Sequence, residues 1–257
     1  MRTHCFILAS SDDRIHLLNK CVRCIKNSMY AQSDVYLYYQ GTNIEAVEDK
    51  HFFKSIIVDD RLRGVFIPRY ELMRRFCLDY DFTILIDDDL FMYPYTSYEN
   101  CMDFLEFNQS AGCCCISMHG QKIKNVIKCV SDTKEDYNVF GGMVFPKRSI
   151  KCILEYFEDK AIEYSEDMVW LLLYVKGFDL YRDYSSKAIH ICNQKTKDGK
   201  PTGFLKARYE RAYVPILPNW FNSKRVFNKL HGRIMWKIKE VSDINEQGKA
   251  ERMRNLK

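Results

Sequence analysis

The sequence predicts an α/β protein whose central sheet is mostly parallel and flanked by helices. Two observations support this class. Short apolar runs typical of strands alternate with segments in which apolar residues recur at helical spacing. This alternation is typical of parallel sheets with helices on their faces. With 257 residues, 47% of them hydrophobic, the chain can also bury a sizeable core.

The first elements predicted are a strand, a helix and a second strand. Residues 5–9 form the first strand, and the polar residues 10–13 supply turn and helix-capping chemistry. The apolar residues that follow have helical spacing and predict the first helix: Ile15, Leu18, Val22 and Ile25. Alternating apolar residues over 35–39 predict the second strand, which ends at Gly41.

The pattern then continues toward a fourth strand. A third strand is predicted at 55–58, a helix over 64–79, and the fourth strand at 82–86. Later apolar runs at 113–115 and 137–146 predict further strands. We find no internal repeat or low-complexity stretch, so one catalytic unit over 1–194 is expected.

Three consecutive aspartates, Asp87, Asp88 and Asp89, directly follow the fourth strand. They are therefore expected at its carboxyl end, where open α/β sheets bind their ligands. Three adjacent carboxylates repel one another unless a cation or a set of donors compensates them. A hard divalent cation such as Mg²⁺ or Mn²⁺ suits oxygen ligands of this kind. The alternative is a solvated acidic turn.

The apolar run followed by three aspartates resembles the metal-binding Asp-x-Asp motif of GT-A glycosyltransferases, which bind nucleotide sugars on a Rossmann-like sheet. The resemblance implies a GT-A fold, a Mn²⁺ or Mg²⁺ cofactor and a nucleotide-sugar donor, with UDP-sugars foremost. It makes Asp89 a metal ligand. It also places Asp87 at the ribose or in the metal shell, with Asp88 assisting.

The same resemblance extends to the loop after the first strand. Ala9, Ser10, Asp12 and Arg14 correspond to the loop that holds the nucleotide, although Ser and Asp also cap helices whatever the function. Arg69 lies where many members carry a basic residue that faces the donor. Three other arginines compete for this role, or lie on a solvated helix face: Arg63, Arg74 and Arg75.

Later residues resemble further parts of the family's site. Gly141 and Gly142 interrupt an apolar strand, as in a glycine-rich strand beside the donor sugar and acceptor, although a plain bulge also explains them. His190 follows the strand-like residues 187–189. Some members place a late histidine on the same metal, so we expect His190 to be a ligand, with a structural histidine as the alternative.

Glu166 and Asp167 open a predicted helix that ends at Gly177. Acidic residues in a first helical turn suit the helix dipole, which accounts for them without any function. They also resemble the family's acceptor-side acidic motif. By that resemblance Asp167 is the general base of a single displacement that inverts the anomeric carbon, with Glu166 as second candidate. A retaining reaction would not need this base.

The segment 195–257 is predicted to be a basic, aromatic extension packed on the catalytic domain, whose halves are 1–110 for the nucleotide sugar and 111–194 for the acceptor. It has 16 Lys and Arg against 6 Asp and Glu, a net charge of +10 in a chain of +5. Cations interleaved with aromatic residues suit DNA, since they offer phosphate contacts and base stacking. They equally suit an anionic membrane surface, or form a solvated face.

Small phage enzymes of this class glycosylate hydroxymethylated pyrimidines in DNA, and the chain resembles them in size and in its basic tail. DNA is therefore the expected acceptor. The alternatives are a membrane-proximal enzyme of bacterial surface polysaccharide or lipooligosaccharide synthesis, and a non-catalytic nucleotide-binding module. A phosphoryl or nucleotidyl transferase could also use the aspartates, although the sequence has no Walker glycine loop.

The sequence predicts a cytoplasmic protein, in the host cytoplasm if it is phage-encoded. No window is apolar enough to span a bilayer, and the N-terminus does not resemble a secretory signal. The eleven cysteines are expected to be free, buried thiols. Cys21 and Cys24 lie in a helical pattern without a second pair, which argues against zinc.

Overall fold

The computed structural model describes residues 2–64, 66–118, 127–129, 142–157, 173 and 176–190. The first half of the chain contains four strands and two α-helices, in the predicted order: β1 (His4–Ser11), α1 (Ile15–Lys26), β2 (Asp34–Gln40), β3 (Ser55–Asp59), α2 (Phe66–Phe76) and β4 (Phe82–Leu85). Short 3₁₀ turns precede α1 at Asp12–Arg14 and follow α2 at Cys77–Asp79.

The second half begins with β5 (Leu90–Met92), which follows β4 after a turn in which the Leu90 amide donates to the Asp87 carbonyl over 3.0 Å. Further elements complete the described part of the chain: α3 (Glu99–Phe107), β6 (Ala111–Met118), β7 (Ile127–Cys129), β8 (Met143–Pro146), α4 (Lys147–Phe157) and β9 (Asp179–His190). The predicted strand at 113–115 is confirmed as part of β6. Neither α3 nor α4 was among the predicted elements.

The strands form one sheet in the order β3-β2-β1-β4-β8-β6-β9-β5, with β7 also paired to β9. The four strands of the first half are mutually parallel. Beyond β4 the sheet is mixed, since β8 is antiparallel to both β4 and β6, while β6 and β9 are parallel. The α/β class is confirmed, and its parallel arrangement is concentrated in the first half.

Helices cover both faces of the sheet. On one face α1 and α3 pack over a buried cluster that includes Phe6, Leu8 and Ile84. On the other face α2 and α4 pack over a cluster that includes Ile7 and Leu85. Because successive strand residues face opposite layers, both faces of β1 and β4 are buried. This double burial explains why these strands read as continuous apolar runs in the sequence.

The ten cysteines among the described residues are all free, and most of them are buried, as predicted. Burial raises the pKa of the Cys113 and Cys114 thiols well above the usual value, so these thiols stay protonated. In the described part of the chain, no helix has the length and apolar character needed to cross a membrane. The division into a domain at 1–194 and an extension at 195–257 stays a prediction, because residues 191–257 lie outside the described part.

Candidate functional site

The candidate site lies where the order of strands in the sheet reverses. From β1 the chain passes outward to β2 and β3, and then returns to place β4 on the other side of β1. Connections that run in opposite directions from two neighbouring parallel strands leave a crevice outside their carboxyl ends. The chain that leaves β1 here carries Ser10 and Arg14, and the chain that leaves β4 carries Asp87, Asp88 and Asp89. We call this place the switch-point crevice.

Asp88 is tied to the end of β1. Its carboxylate is 3% exposed and accepts a hydrogen bond from the Ser10 hydroxyl at 2.7 Å. The Arg14 Nε lies 2.9 Å from both carboxylate oxygens. Burial raises the pKa of the Asp88 carboxyl, against the opposing effect of the Arg14 guanidinium. Both oxygens are thus engaged within the protein, which gives Asp88 a structural position under the crevice.

Arg14 joins two of the three aspartates. Besides its bonds to Asp88, its Nη2 lies 3.0 Å from an oxygen of Asp89, whose residue is 6% exposed. Burial lowers the pKa of the Arg14 guanidinium, but the bonds to Asp88 outweigh this and leave it raised. The arginine therefore remains charged and holds the Asp89 carboxylate at the floor of the crevice.

Asp87 is paired with a different arginine. Arg69, on α2, is 3% exposed and forms an ion pair with Asp87. The competing arginines lie elsewhere: Arg63 pairs with Asp59, and Arg74 and Arg75 reach Glu71 on the exposed side of α2. Of the four candidates, the structure brings Arg69 to the aspartates. The predicted contact of Arg69 with a donor stays a prediction.

The carboxylates of Asp87 and Asp89 are of the chemical type that binds a divalent cation. Their side chains keep 18% and 9% exposure, whereas that of Asp88 keeps 3%. Among the described contacts three carboxylates face two guanidiniums, and carboxylate oxygens are the ligands that Mg²⁺ and Mn²⁺ prefer. Among the described side chains, no three His, Cys, Asp or Glu residues converge as a metal cluster. An ion held by two carboxylates would keep positions open for phosphate oxygens.

His190 is brought to the same edge of the sheet. Strand β5 pairs antiparallel with β9, and this register sets Leu90 opposite His190. Because Asp89 directly precedes Leu90, the backbone of His190 lies opposite the residue next to Asp89. Its side chain lies outside the described part of the structure, so its role as a metal ligand stays a prediction.

Asp12 connects the loop after β1 to the loop after β2. Its carboxylate accepts hydrogen bonds from the backbone amides of Thr42 and Asn43, at 3.1 and 3.0 Å, and from the Tyr39 hydroxyl. Burial raises the pKa of the Asp12 carboxyl, but these bonds outweigh it and leave the pKa lowered. A Cβ at Gly41 would clash with this carboxylate. The sequence pattern does not predict this link, whose one local signal is the glycine at the end of β2.

The structure describes only some of the other residues that were predicted to belong to the site. Ala9 is buried within β1 at 4% exposure. Gly142 has φ +86°, and a Cβ there would lie 2.8 Å from the Tyr98 hydroxyl, so packing accounts for this glycine. Gly141, Glu166 and Asp167 lie outside the described residues. The roles predicted for all five of these residues stay predictions.

Searches for similar proteins find fold relatives and no sequence relatives. No protein-family model matches the chain, and no curated protein does either. Similar solved structures include GalNAc-T7 with UDP, GalNAc and Mn²⁺, with a TM-score of 0.62 and 12% identity over 97% of this chain and 55% of that one. S. aureus TarS 1-349 in complex with UDP-GlcNAc has a TM-score of 0.58 and 9% identity, over 95% of this chain and 71% of that one.

A second TarS 1-349 structure has a TM-score of 0.53 at 10% identity, over 73% of this chain and 60% of that one. The chain thus spans only 60% and 55% of the TarS and GalNAc-T7 structures in these two matches. The chain has the GT-A fold. At such low identity the likeness establishes the fold, and activity has to be argued from the site.

Proposed function

We propose that this chain is a metal-dependent glycosyltransferase that moves a sugar from a nucleotide-sugar donor to an acceptor hydroxyl. The observation that carries the proposal is the pair of carboxylates, Asp87 and Asp89, at the switch-point crevice of a GT-A fold. Two buried arginines hold them in place. This is where an open α/β sheet binds a nucleotide.

The bound ligands of the fold relatives support this reaction class. The relatives are GT-A glycosyltransferases. GalNAc-T7 was crystallised with UDP, GalNAc and Mn²⁺, and TarS with UDP-GlcNAc. A nucleoside diphosphate carries charge that requires a cation, and Asp87 and Asp89 offer the hard oxygen ligands that such a cation needs. We therefore propose Mn²⁺ or Mg²⁺ as the cofactor and a UDP-sugar as the foremost donor.

The roles of the chain's own residues follow from their contacts. Asp87 and Asp89 would hold the ion, which supplies Lewis-acid stabilisation of the diphosphate leaving group when it is bound. Arg14 keeps Asp89 oriented and compensates part of the acidic charge before the donor arrives. Arg69 restrains Asp87 from the α2 side and adds positive charge beside the diphosphate position.

The test of metal dependence uses Asp89→Ala. Full-length protein with Mn²⁺ is incubated with a panel of nucleotide sugars, and release of free sugar and transfer to acceptors are followed by mass spectrometry. We expect turnover to be abolished in Asp89→Ala while the far-ultraviolet circular dichroism is unchanged. Asp60→Ala, whose side chain is 80% exposed, is the matched control and should keep full activity. Full wild-type turnover in excess chelator would refute the metal role.

The general base is proposed to be Asp167, with Glu166 as second candidate. Asp167→Asn nearly conserves volume but removes the proton acceptor, so transfer should slow on the order of 10²- to 10⁴-fold while donor binding survives. The measurement is kcat for transfer together with donor affinity by calorimetry. Near-normal transfer by Asp167→Asn would assign the base elsewhere or indicate a retaining reaction.

The acceptor has two candidate classes, DNA and a carbohydrate. A hydroxymethylated pyrimidine in phage DNA is motivated by the +10 charge of residues 195–257. A carbohydrate of a bacterial surface polymer, made beside an anionic membrane, is motivated by the same charge. The test offers both classes to the enzyme, as hydroxymethylated DNA and as glycans, and weighs the products. Sugar added to DNA alone supports the first, and sugar added to glycan alone supports the second.

A further inference from the structure

Two tyrosines form an exposed aromatic surface directly after β5. Tyr95 is 70% exposed, and its ring stacks on that of Tyr93 with centroids 5.1 Å apart and an interplanar angle of 4°. We call this pair the tyrosine platform. Parallel stacking leaves the outer face of Tyr95 available to a flat partner, and such an aromatic face offers both apolar area and a polar hydroxyl.

Hydrogen bonds within the turn and to β9 fix the backbone that carries the platform. The Thr96 amide donates to the Tyr93 carbonyl at 3.0 Å, and the Tyr93 amide donates to the Thr96 hydroxyl oxygen at 2.8 Å. The Thr96 hydroxyl in turn donates to the Lys187 carbonyl on β9, and Pro94 restricts the backbone between the two tyrosines. The rings are therefore positioned before any ligand binds, which lowers the entropic cost of binding.

The platform lies within reach of the switch-point crevice. Strand β5 begins at Leu90, directly after Asp89, and has three residues. At about 3.3 Å per strand residue, Tyr93 lies roughly 13 Å along the chain from Asp89. Among the described strands β5 is at the edge of the sheet, and the ligand would approach along this edge. A short oligosaccharide whose terminal hydroxyl is at the crevice can extend to this place.

Charge around the platform selects a neutral ligand over a polyanion. Residues 90–107, which form β5, the platform and α3, contain Glu99, Asp103 and Glu106 and no lysine or arginine. Arg2 forms ion pairs with all three of these carboxylates, and Lys187 on β9 adds a second cation nearby. A nucleic acid would bring a row of phosphates to a surface where, among the described residues, three carboxylates face two cations, whereas its binding depends on rows of cations. A sugar ring carries no charge and has an apolar C–H face that can cover an aromatic ring.

We propose that the tyrosine platform binds a sugar ring of a carbohydrate acceptor, by stacking that ring on Tyr95. The proposal rests on the proposed glycosyltransferase function and specifies its acceptor class. It assigns the platform to binding and not to the chemical step, because the rings lie well away from Asp89.

The first test separates acceptor binding from donor chemistry. Tyr95→Ala should raise the KM for a carbohydrate acceptor on the order of tenfold, since it removes the stacking surface. It should leave the rate of metal-dependent donor hydrolysis unchanged. Tyr95→Phe keeps the ring and should keep the wild-type KM. Phe107→Ala is the matched control, because Phe107 is 86% exposed at the other end of α3 and should have no effect.

A binding measurement tests the platform without turnover. Full-length wild type, Tyr95→Ala and Phe107→Ala are applied to an array of neutral oligosaccharides, without donor or metal, and folding is checked by thermal melting. Binding by wild type and Phe107→Ala that is lost in Tyr95→Ala supports the proposal. No binding by wild type, or equal binding by Tyr95→Ala, overturns it. Loss of affinity for single-stranded DNA alone in Tyr95→Ala would also overturn it, in favour of a base-stacking role.

The two proposals fail in different ways. If wild type shows no donor hydrolysis with any nucleotide sugar, the glycosyltransferase function fails, whatever the array shows. If donor hydrolysis is normal while Tyr95→Ala matches wild type in acceptor KM and in array binding, the function stands and the platform assignment fails.

Discussion

The parallel and mixed halves of the sheet bring their residues to the site by different means. In the parallel half, β1 and β4 are neighbours, and the segments that leave their carboxyl ends meet through the Arg14, Asp88 and Asp89 contacts. In the mixed half, β5 reverses direction after β4 and pairs with the end of β9, which sets Leu90 opposite His190. Thus buried charge pairs organise one side of the crevice, and strand reversal and close packing organise the other.

This difference has a consequence for stability. A buried ion pair depends on both partners, because removal of one leaves an uncompensated charge in a poorly solvated place. A close backbone approach depends instead on the absence of a side chain. The two halves should therefore respond most strongly to different kinds of substitution.

The largest effect is expected in the parallel half, for Asp88→Ala. Removal of this carboxylate leaves the buried Arg14 guanidinium without its main partner, so the free energy of unfolding should fall by about 3–5 kcal/mol. The measurement is urea denaturation followed by circular dichroism. The matched control is Glu48→Ala, whose partner Arg23 is 63% exposed, and a change below about 1 kcal/mol is expected there. Equal losses in the two variants would contradict the buried-pair argument.

The next effect is expected in the mixed half, for Gly142→Ala. The left-handed backbone at this residue and the new contact with Tyr98 together should lower the free energy of unfolding by about 2–4 kcal/mol. The measurement is again urea denaturation. Tyr98→Phe alone should be close to neutral, since the Tyr98 hydroxyl has no hydrogen-bond partner among the described residues. In the double variant, Tyr98→Phe should restore part of the free energy of unfolding that Gly142→Ala removes. If the effects of the two substitutions simply add, the Tyr98 hydroxyl is not what clashes with the new methyl group.

The smallest effect is expected at His4, at the start of β1. Burial lowers the pKa of its imidazole, an effect that Arg2 reinforces and that Glu99 and Asp34 oppose. Because the unfolded chain binds the proton more readily, stability should decline as pH falls through about 6.5, the ordinary histidine value. His4→Gln should flatten this decline, as measured by denaturation midpoints from pH 7.5 to 5.5. A steeper decline of stability with falling pH in His4→Gln would contradict a lowered pKa for His4.

Local patterns predicted the parallel half well. The strands and helices up to β4 agree with the predicted segments within a few residues, because apolar runs and helical spacing are properties of neighbouring residues. The spacing of apolar residues predicted the elements of the mixed half less well. Strand β5 has three residues, and β9 extends over Asp179–His190 although its sequence alternates poorly. A register shift between β6 and β9 after Ile116 interrupts any regular period.

The sequence by itself determined that this is an α/β chain and that three aspartates stand at a strand end, since both are local features. Only the tertiary structure decided that Asp88 and Asp89 are buried while Asp87 is half-buried, and that Arg69 rather than its neighbours reaches Asp87. The physical reason is distance along the chain. Arg14 and Asp88 are 74 residues apart, and no local period encodes a contact that exists only because β1 and β4 are adjacent.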